Sequence, residues 1–202
     1  MAVAALMALM AAVGAQAADP EAGKAAYAVC AACHGQQGEG NAAMNSPKIA
    51  GQEAWYLRRQ MQAFQQGLRG TAPGDTYGMQ MRPMAMMVAD PASLENLIAY
   101  IGTFADVPSQ PTIEGDVVAG QAAYALCAAC HGPQAGGVEQ MAGPKLAGQD
   151  DWYLIRQIRN YQQGLRGYDP KDIYGMQMKP MASVLTSEQA IIDVTAYINT
   201  LR

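Results

Sequence analysis

Histidine and cysteine are scarce in this 202-residue chain, at two and four residues. So few imidazoles exclude a multi-histidine metal cage and leave no spare histidine for general acid–base work. Phenylalanine and tryptophan occur only twice each, and much of the 50% hydrophobic content is alanine. A chain of this make-up builds thin cores and gains from any large apolar group it can fold around. Charge is sparse too: charged residues make up 15%, and the formal net charge is −4. That balance gives no basic field to hold nucleic acid. Residues Ala18–Gln110 carry 6 basic and 8 acidic side chains, and Pro111–Arg202 carry 7 and 9. Net charge therefore sets up no dipole between the halves for one-sided docking. Beyond residue 18 no apolar run approaches the length of a membrane span.

All four cysteines and both histidines fall into two short phrases, Cys30-Ala31-Ala32-Cys33-His34 and Cys127-Ala128-Ala129-Cys130-His131. The C-x-x-C-H spacing suits covalent attachment of a c-type haem. Two thiols about one helical turn apart can each add to a vinyl group, and the adjacent histidine then presents a ring nitrogen to iron. A redox dithiol or half a zinc site also uses C-x-x-C, but neither requires the trailing histidine. Two copies in matching contexts point to two covalently bound haem c groups. No thiol is left over for a disulfide or a nucleophile.

The matching contexts amount to an internal duplication. Gly23 to Gly35 recurs as Gly120 to Gly132, an offset of 97 residues (127 − 30). The same offset links Trp55-Tyr56-Leu57 to Trp152-Tyr153-Leu154, and Tyr77-Gly78-Met79-Gln80-Met81 to Tyr174-Gly175-Met176-Gln177-Met178. The register holds without a gap, so this is a domain copied once. Residues 1–18 are apolar and end in Ala15-Gln16-Ala17, a small-x-small pattern that reads as a secretory signal peptide. The organisation expected is signal peptide 1–18, first domain 19–105, linker 106–115 and second domain 116–202. Export agrees with haem attachment outside the cytoplasm and places the product in the periplasm, with peripheral membrane association left open.

Each copy reads as three helices in an all-α fold, with no convincing strand. Asp19-Pro20 caps and opens the first helix, and Asp116 takes the same role in the second copy. Gly23 and Tyr27 share a face, and a glycine there lets another helix cross closely. A middle helix spans about Glu53–Gln66, and its copy runs from about Asp150, an N-cap candidate, to Gly164. Thr71–Pro83, with glycine, proline and no helical period, reads as loop. The last helix starts near Asp90-Pro91, and near Thr186-Ser187-Glu188 in the copy, with Leu94, Leu97, Ile98 and Ile101 on its apolar face. Tyr100 and Tyr197 are expected to pack it on the first helix.

A haem iron has two axial positions, and each copy supplies one histidine. Methionine is the obvious second donor. The first copy offers Met79, Met81, Met84, Met86 and Met87, and the second Met176, Met178 and Met181. The order of phrases narrows the choice. C-x-x-C-H comes first, then Pro47-Lys48-Ile49-Ala50-Gly51-Gln52, then Tyr56-Leu57-Arg58-Arg59-Gln60 with Gly67-Leu68-Arg69, then methionine before a final tyrosine-containing helix. This resembles a class I cytochrome c, and two such domains in tandem resemble the dihaem cytochrome c4 family over nearly the whole mature chain.

The resemblance implies tandem class I cytochrome c domains, each wrapped around one haem. The iron-binding methionine would lie seven residues before the apolar residue that leads into the last helix, which selects Met81 (88 − 7) and Met178 (185 − 7). Met84 and Met181 are the fallback. His34 and His131 would be the other axial ligands, and the carbonyls of Pro47 and Pro144 would hold their rings. Arg69, Arg166, Trp55, Trp152, Tyr56 and Tyr153 are candidates for the haem propionates. The function implied is one-electron transfer without a substrate, with a quinol-oxidising complex or dehydrogenase as donor and a terminal oxidase as acceptor. The alternative is a dihaem subunit of a dehydrogenase, such as flavocytochrome c sulfide dehydrogenase. A dihaem peroxidase would need an open iron position and further acid–base groups, which argues against an enzyme. The haem edges would face each other across a pseudo-twofold interface.

Overall fold

The computed structural model describes residues 17–201. The expected signal peptide falls almost wholly outside the described residues. Among those described there are eight α-helices and no strand. The first copy holds α1 (Pro20–His34), α2 (Ala54–Gln65), α3 (Thr76–Met86) and α4 (Pro91–Ile101). The second holds α5 (Val117–His131), α6 (Asp151–Gln162), α7 (Ile173–Ser183) and α8 (Glu188–Ile198). Every helix start and end in the first copy recurs 97 residues later.

Local chemistry explains the boundaries. The Asp19 carboxylate accepts from Glu21 N at 2.9 Å with Pro20 at the first helical position, and Asp116 caps α5 through Val118 N and Ala119 N. Asp90 and Ser187 cap α4 and α8. Gly67 and Gly164 end the middle helices with φ of 75° and 71°, a conformation that favours glycine. The close crossing of first and last helix is present: a Cβ on Gly23 would lie 1.9 Å from Asn96 O, and one on Gly120 would lie 2.0 Å from Asp193 O. Tyr27 sits buried beneath that crossing, its ring 5.5 Å from Tyr100 and 4.9 Å from Phe104. Tyr124 repeats the pairing with Tyr197 at 5.5 Å. Leu94, Leu97, Ile98 and Ile101 form the core of the first half with Tyr27 and Phe104, as their spacing requires.

One expectation is corrected. The segment read as loop, Thr71–Pro83, holds most of α3, and its counterpart in the second half holds most of α7, so each half has four helices. The Asp75 carboxylate starts α3 by accepting from Gly78 N at 3.0 Å, and Asp172 does the same for Gly175 N at 2.9 Å. Within α3 only Gly78 and Ala85 are buried. A helix that buries so little leaves no apolar stripe to read, and its internal Pro83 argues against helix on propensity alone.

The halves pack on each other as near-symmetric partners. Arg59 donates to Ala142 O and Arg156 to Asn45 O, both at 2.8 Å. Gln52 reaches Lys145 O, and Gln149 reaches Lys48 O. Thr71 Oγ1 meets the hydroxyl of Tyr168, its own counterpart at the offset of 97, so this pair marks the pseudo-twofold axis. Residues 106–115 connect the halves without helix and are tied down along their length. Asp106 pairs with the ammonium groups of Lys48 and Lys145, Ser109 N donates to Gly148 O at 3.0 Å, and Thr112 is held by Asp151.

Candidate haem sites and the interface between them

Each C-x-x-C-H phrase closes the C-terminal end of a helix, α1 or α5. The four cysteine side chains are half-buried, and none pairs with another in a disulfide. Both histidines are buried. His34 Nδ1 lies 2.8 Å from Pro47 O and His131 Nδ1 lies 2.7 Å from Pro144 O. A carbonyl only accepts, so Nδ1 carries the proton and Nε2 keeps a free lone pair. Burial, opposed by these same hydrogen bonds, holds both imidazoles below the ordinary histidine range. The rings are thus neutral, oriented and ready as metal ligands.

The methionines separate by exposure. Met79, Met86, Met87 and Met176 are exposed, whereas Met81, Met84, Met178 and Met181 are half-buried. Val88 and Leu185, from which the seven-residue count starts, are buried anchors at the ends of α3 and α7. The half-buried methionines of each cluster are the two weighed on sequence.

Between the halves lies a buried cationic cluster. Arg69 and Arg166 are only 7% and 4% exposed, with their guanidinium groups 4.4 Å over the rings of Phe64 and Tyr161. Each shares the same two acceptors: Arg69 donates to Gln60 Oε1 at 2.6 Å and Gln157 Oε1 at 3.4 Å, and Arg166 donates to Gln157 at 2.8 Å and Gln60 at 3.0 Å. Arg59 lies 4.8 Å over Trp55 and 4.6 Å over Tyr174, while Arg156 lies 4.8 Å over Trp152 and 4.4 Å over Tyr77. The Nε atoms of all four arginines are buried without a hydrogen-bond partner. Burial would raise the Tyr153 phenol, yet the charges of Arg69, Arg166 and Arg156 outweigh it and hold it below the ordinary tyrosine range. Buried cations with orphaned donors call for anions. Two haems carry four propionates, so this cluster fits the expected cofactor. Arg59, Arg156, Gln60 and Gln157 were not singled out as site candidates on sequence, although Arg59 and Gln60 stand in a quoted phrase. The signal available was their recurrence at the offset of 97.

Asp150 also departs from expectation. It occupies the N-cap position of α6 but makes no capping bond, because its carboxylate accepts from Lys48 N across the interface at 2.8 Å.

The cytochrome c family model matches the chain twice, over residues 20–105 and 117–202. Two such domains, each with a C-x-x-C-H motif, make the protein a dihaem c-type cytochrome with two covalently bound haem c groups. The cytochrome c4 of Azotobacter vinelandii is 31% identical over 183 residues, covering 83% of this chain and 82% of that protein. A thiosulfate dehydrogenase electron acceptor of Stutzerimonas stutzeri (strain A1501) is 34% identical over 161 residues, covering 74% and 70%. The crystal structure of reduced recombinant cytochrome c4 from Pseudomonas stutzeri superposes with a TM-score of 0.70 at 29% identity, covering 92% of this chain and all of that one. The chain belongs to the cytochrome c4 family and is an electron-transfer protein of that type.

Proposed function

We propose that the protein is a periplasmic carrier that takes single electrons from a quinol-oxidising complex or dehydrogenase and passes them to a terminal oxidase. The observation that carries this reading is the histidine geometry. In both halves a buried neutral imidazole is locked by a proline carbonyl with Nε2 left free. Bound haem c supplies one-electron chemistry between ferric and ferrous iron. Cys30 and Cys33 hold one haem through thioethers, and Cys127 and Cys130 hold the other. His34 with Met81, and His131 with Met178, would hold the two haem irons. Arg59, Arg69, Arg156 and Arg166 would pair with the haem propionates. Side chains of the chain would occupy both iron positions and leave none for a substrate, which supports electron transfer over catalysis.

The reading divides the chain as exported leader 1–18, domains 19–105 and 116–202, and linker 106–115. A dehydrogenase donor is supported by the relative named as the electron acceptor of thiosulfate dehydrogenase. Among the described residues no helix is long and apolar enough to cross a membrane.

The test is rapid mixing of the reduced protein with candidate oxidases, followed by difference spectra, in the parent and in Met81→His and Met178→His. The parent should be oxidised within the turnover time of its partner. Each variant should lose half of the methionine–iron charge-transfer band and show a lowered potential at one haem, because imidazole is the stronger donor. A full band in Met81→His with a halved band in Met84→His would move the ligand to Met84. No oxidation by any membrane oxidase would remove the proposed acceptor.

A further inference from the structure

The peptide between Pro47 and Lys48 is engaged at both ends. Its carbonyl accepts from His34 Nδ1 at 2.8 Å, and its N–H donates to Asp150 Oδ2, from the other half, at 2.8 Å. The peptide between Pro144 and Lys145 repeats this. Its carbonyl lies 2.7 Å from His131 Nδ1, and its N–H is shared by the two Glu53 carboxylate oxygens at 3.1 and 3.0 Å. Glu53 and Asp150 correspond at the offset of 97, so the device is built twice and crossed. Glycine makes room for it: a Cβ on Gly40 would lie 2.5 Å from Lys48 N and 3.0 Å from Asp150 Oδ2, and one on Gly137 would lie 2.1 Å from Glu53 Oε1. The lysine ammonium groups do not neutralise these carboxylates by direct contact, since both pair with Asp106.

We propose that Asp150 and Glu53 are cross-domain positioning residues, each setting through one peptide group the donor strength of the haem-binding histidine in the opposite half. The inference rests on the reading of His34 and His131 as iron ligands. A carboxylate on a peptide N–H is a charge-assisted acceptor. Hydrogen bonds in a chain polarise one another, so it makes the carbonyl of the same peptide a stronger acceptor. A stronger acceptor at Nδ1–H puts more electron density on Nε2 and favours ferric iron. The negative charge itself acts in the same direction. Each half thereby holds down the potential of the other's haem. The Asp150 arm, with one short bond, is the stronger of the two; in the Glu53 arm two longer bonds share one proton.

Asp150→Asn and Glu53→Gln keep an oxygen acceptor and the side-chain length while removing the charge. They are to be compared with the parent in the holoprotein by redox titration, each haem being followed through its own hyperfine-shifted methyl resonances. Asp150→Asn should shift upward the potential of the haem on Cys30 and Cys33, more than that of the haem on Cys127 and Cys130. Glu53→Gln should do the reverse, with a smaller shift, and Asp150→Glu should return the potential toward the parent value. Amide exchange at Lys48 and Lys145 checks that the peptide bonds survive in each variant. Unchanged potentials with both amides still protected, or a larger shift in the mutated residue's own half, would overturn the proposal. If the parent's His34 and His131 ring resonances show no hyperfine shift, the ligand reading itself fails and this inference falls with it.

Discussion

The first and second halves of the chain share every helix boundary at one offset, yet they are stabilised differently away from their common interface. On the outer face the first half pairs Arg58 on α2 with Glu95 on α4, whereas the second half places Ile155 and Ile192 at those positions. Ile155 is buried there. Tyr27 packs on Tyr100 and Phe104, but the counterpart of Phe104 is Leu201. Asp151, only 1% exposed, has Ala54 as its counterpart. Contacts across the interface, by contrast, come in matched pairs: Arg59 with Arg156, Arg69 with Arg166, Gln52 with Gln149 and Glu53 with Asp150. A duplicated surface that packs on itself must satisfy each residue in two environments at once, so change is tolerated at its periphery. The connecting segment has no counterpart and adds an asymmetry of its own.

The largest expected effect tests the symmetric part. Gly23→Ala and Gly120→Ala each push a methyl into the backbone of the crossing helix, and each should cost about 3 kcal/mol. Denaturant unfolding checks this. Equal losses would sharpen the equivalence of the two crossings, and a loss confined to one would break it.

Asp151 tests the asymmetric part. Its carboxylate accepts from Thr112 N, Thr112 Oγ1 and Ile113 N and so fastens the connecting segment to α6. Asp151→Ala should cost about 2 kcal/mol at neutral pH by stranding these donors. Burial would raise this carboxyl, but the hydrogen bonds from Thr112, Trp152 and Asn199 outweigh it and hold it below the usual range. Because the folded group titrates below the unfolded one, its contribution is full above the unfolded value of about 3.9 and is lost as pH falls through the folded value. Unfolding curves should therefore separate parent and variant at pH 7 and bring them together in strong acid. A gap that persists in acid would contradict the assignment.

The smallest effect concerns the outer face. Replacing Arg58 and Glu95 together by isoleucine, as in the second half, should change stability by only about 0.5 kcal/mol, since the pair is partly exposed. A large loss in thermal unfolding would show that this salt bridge does more than the apolar contact that stands in for it.

Much of this architecture was legible in the chain because the signals were local. Asp19-Pro20, Asp90-Pro91 and Ser187 announce helix starts through the backbone donors they cap, and Gly23 announces a close crossing. The proline carbonyls on His34 and His131 followed from resemblance together with the general need of a ligating histidine for an acceptor. Helices α3 and α7 were not legible, since each buries one glycine and one alanine and carries an internal proline. Arg69 and Arg166 were in view as propionate candidates, but Arg59, Arg156 and the crossed carboxylates were missed for another reason. Asp150 looks like an N-cap in isolation, and only the packing of one half on the other hands its oxygen to Lys48 N.

The most direct test of the central claim is the intact mass of the mature protein under denaturing conditions, in the parent and in the two double variants Cys30→Ser/Cys33→Ser and Cys127→Ser/Cys130→Ser. The parent should exceed its polypeptide mass by two haems. Each double variant should exceed its own by one, with a difference spectrum of half the parent's amplitude. A parent carrying one haem or none, or a double variant that keeps both, would contradict the account of two independent covalent haem sites.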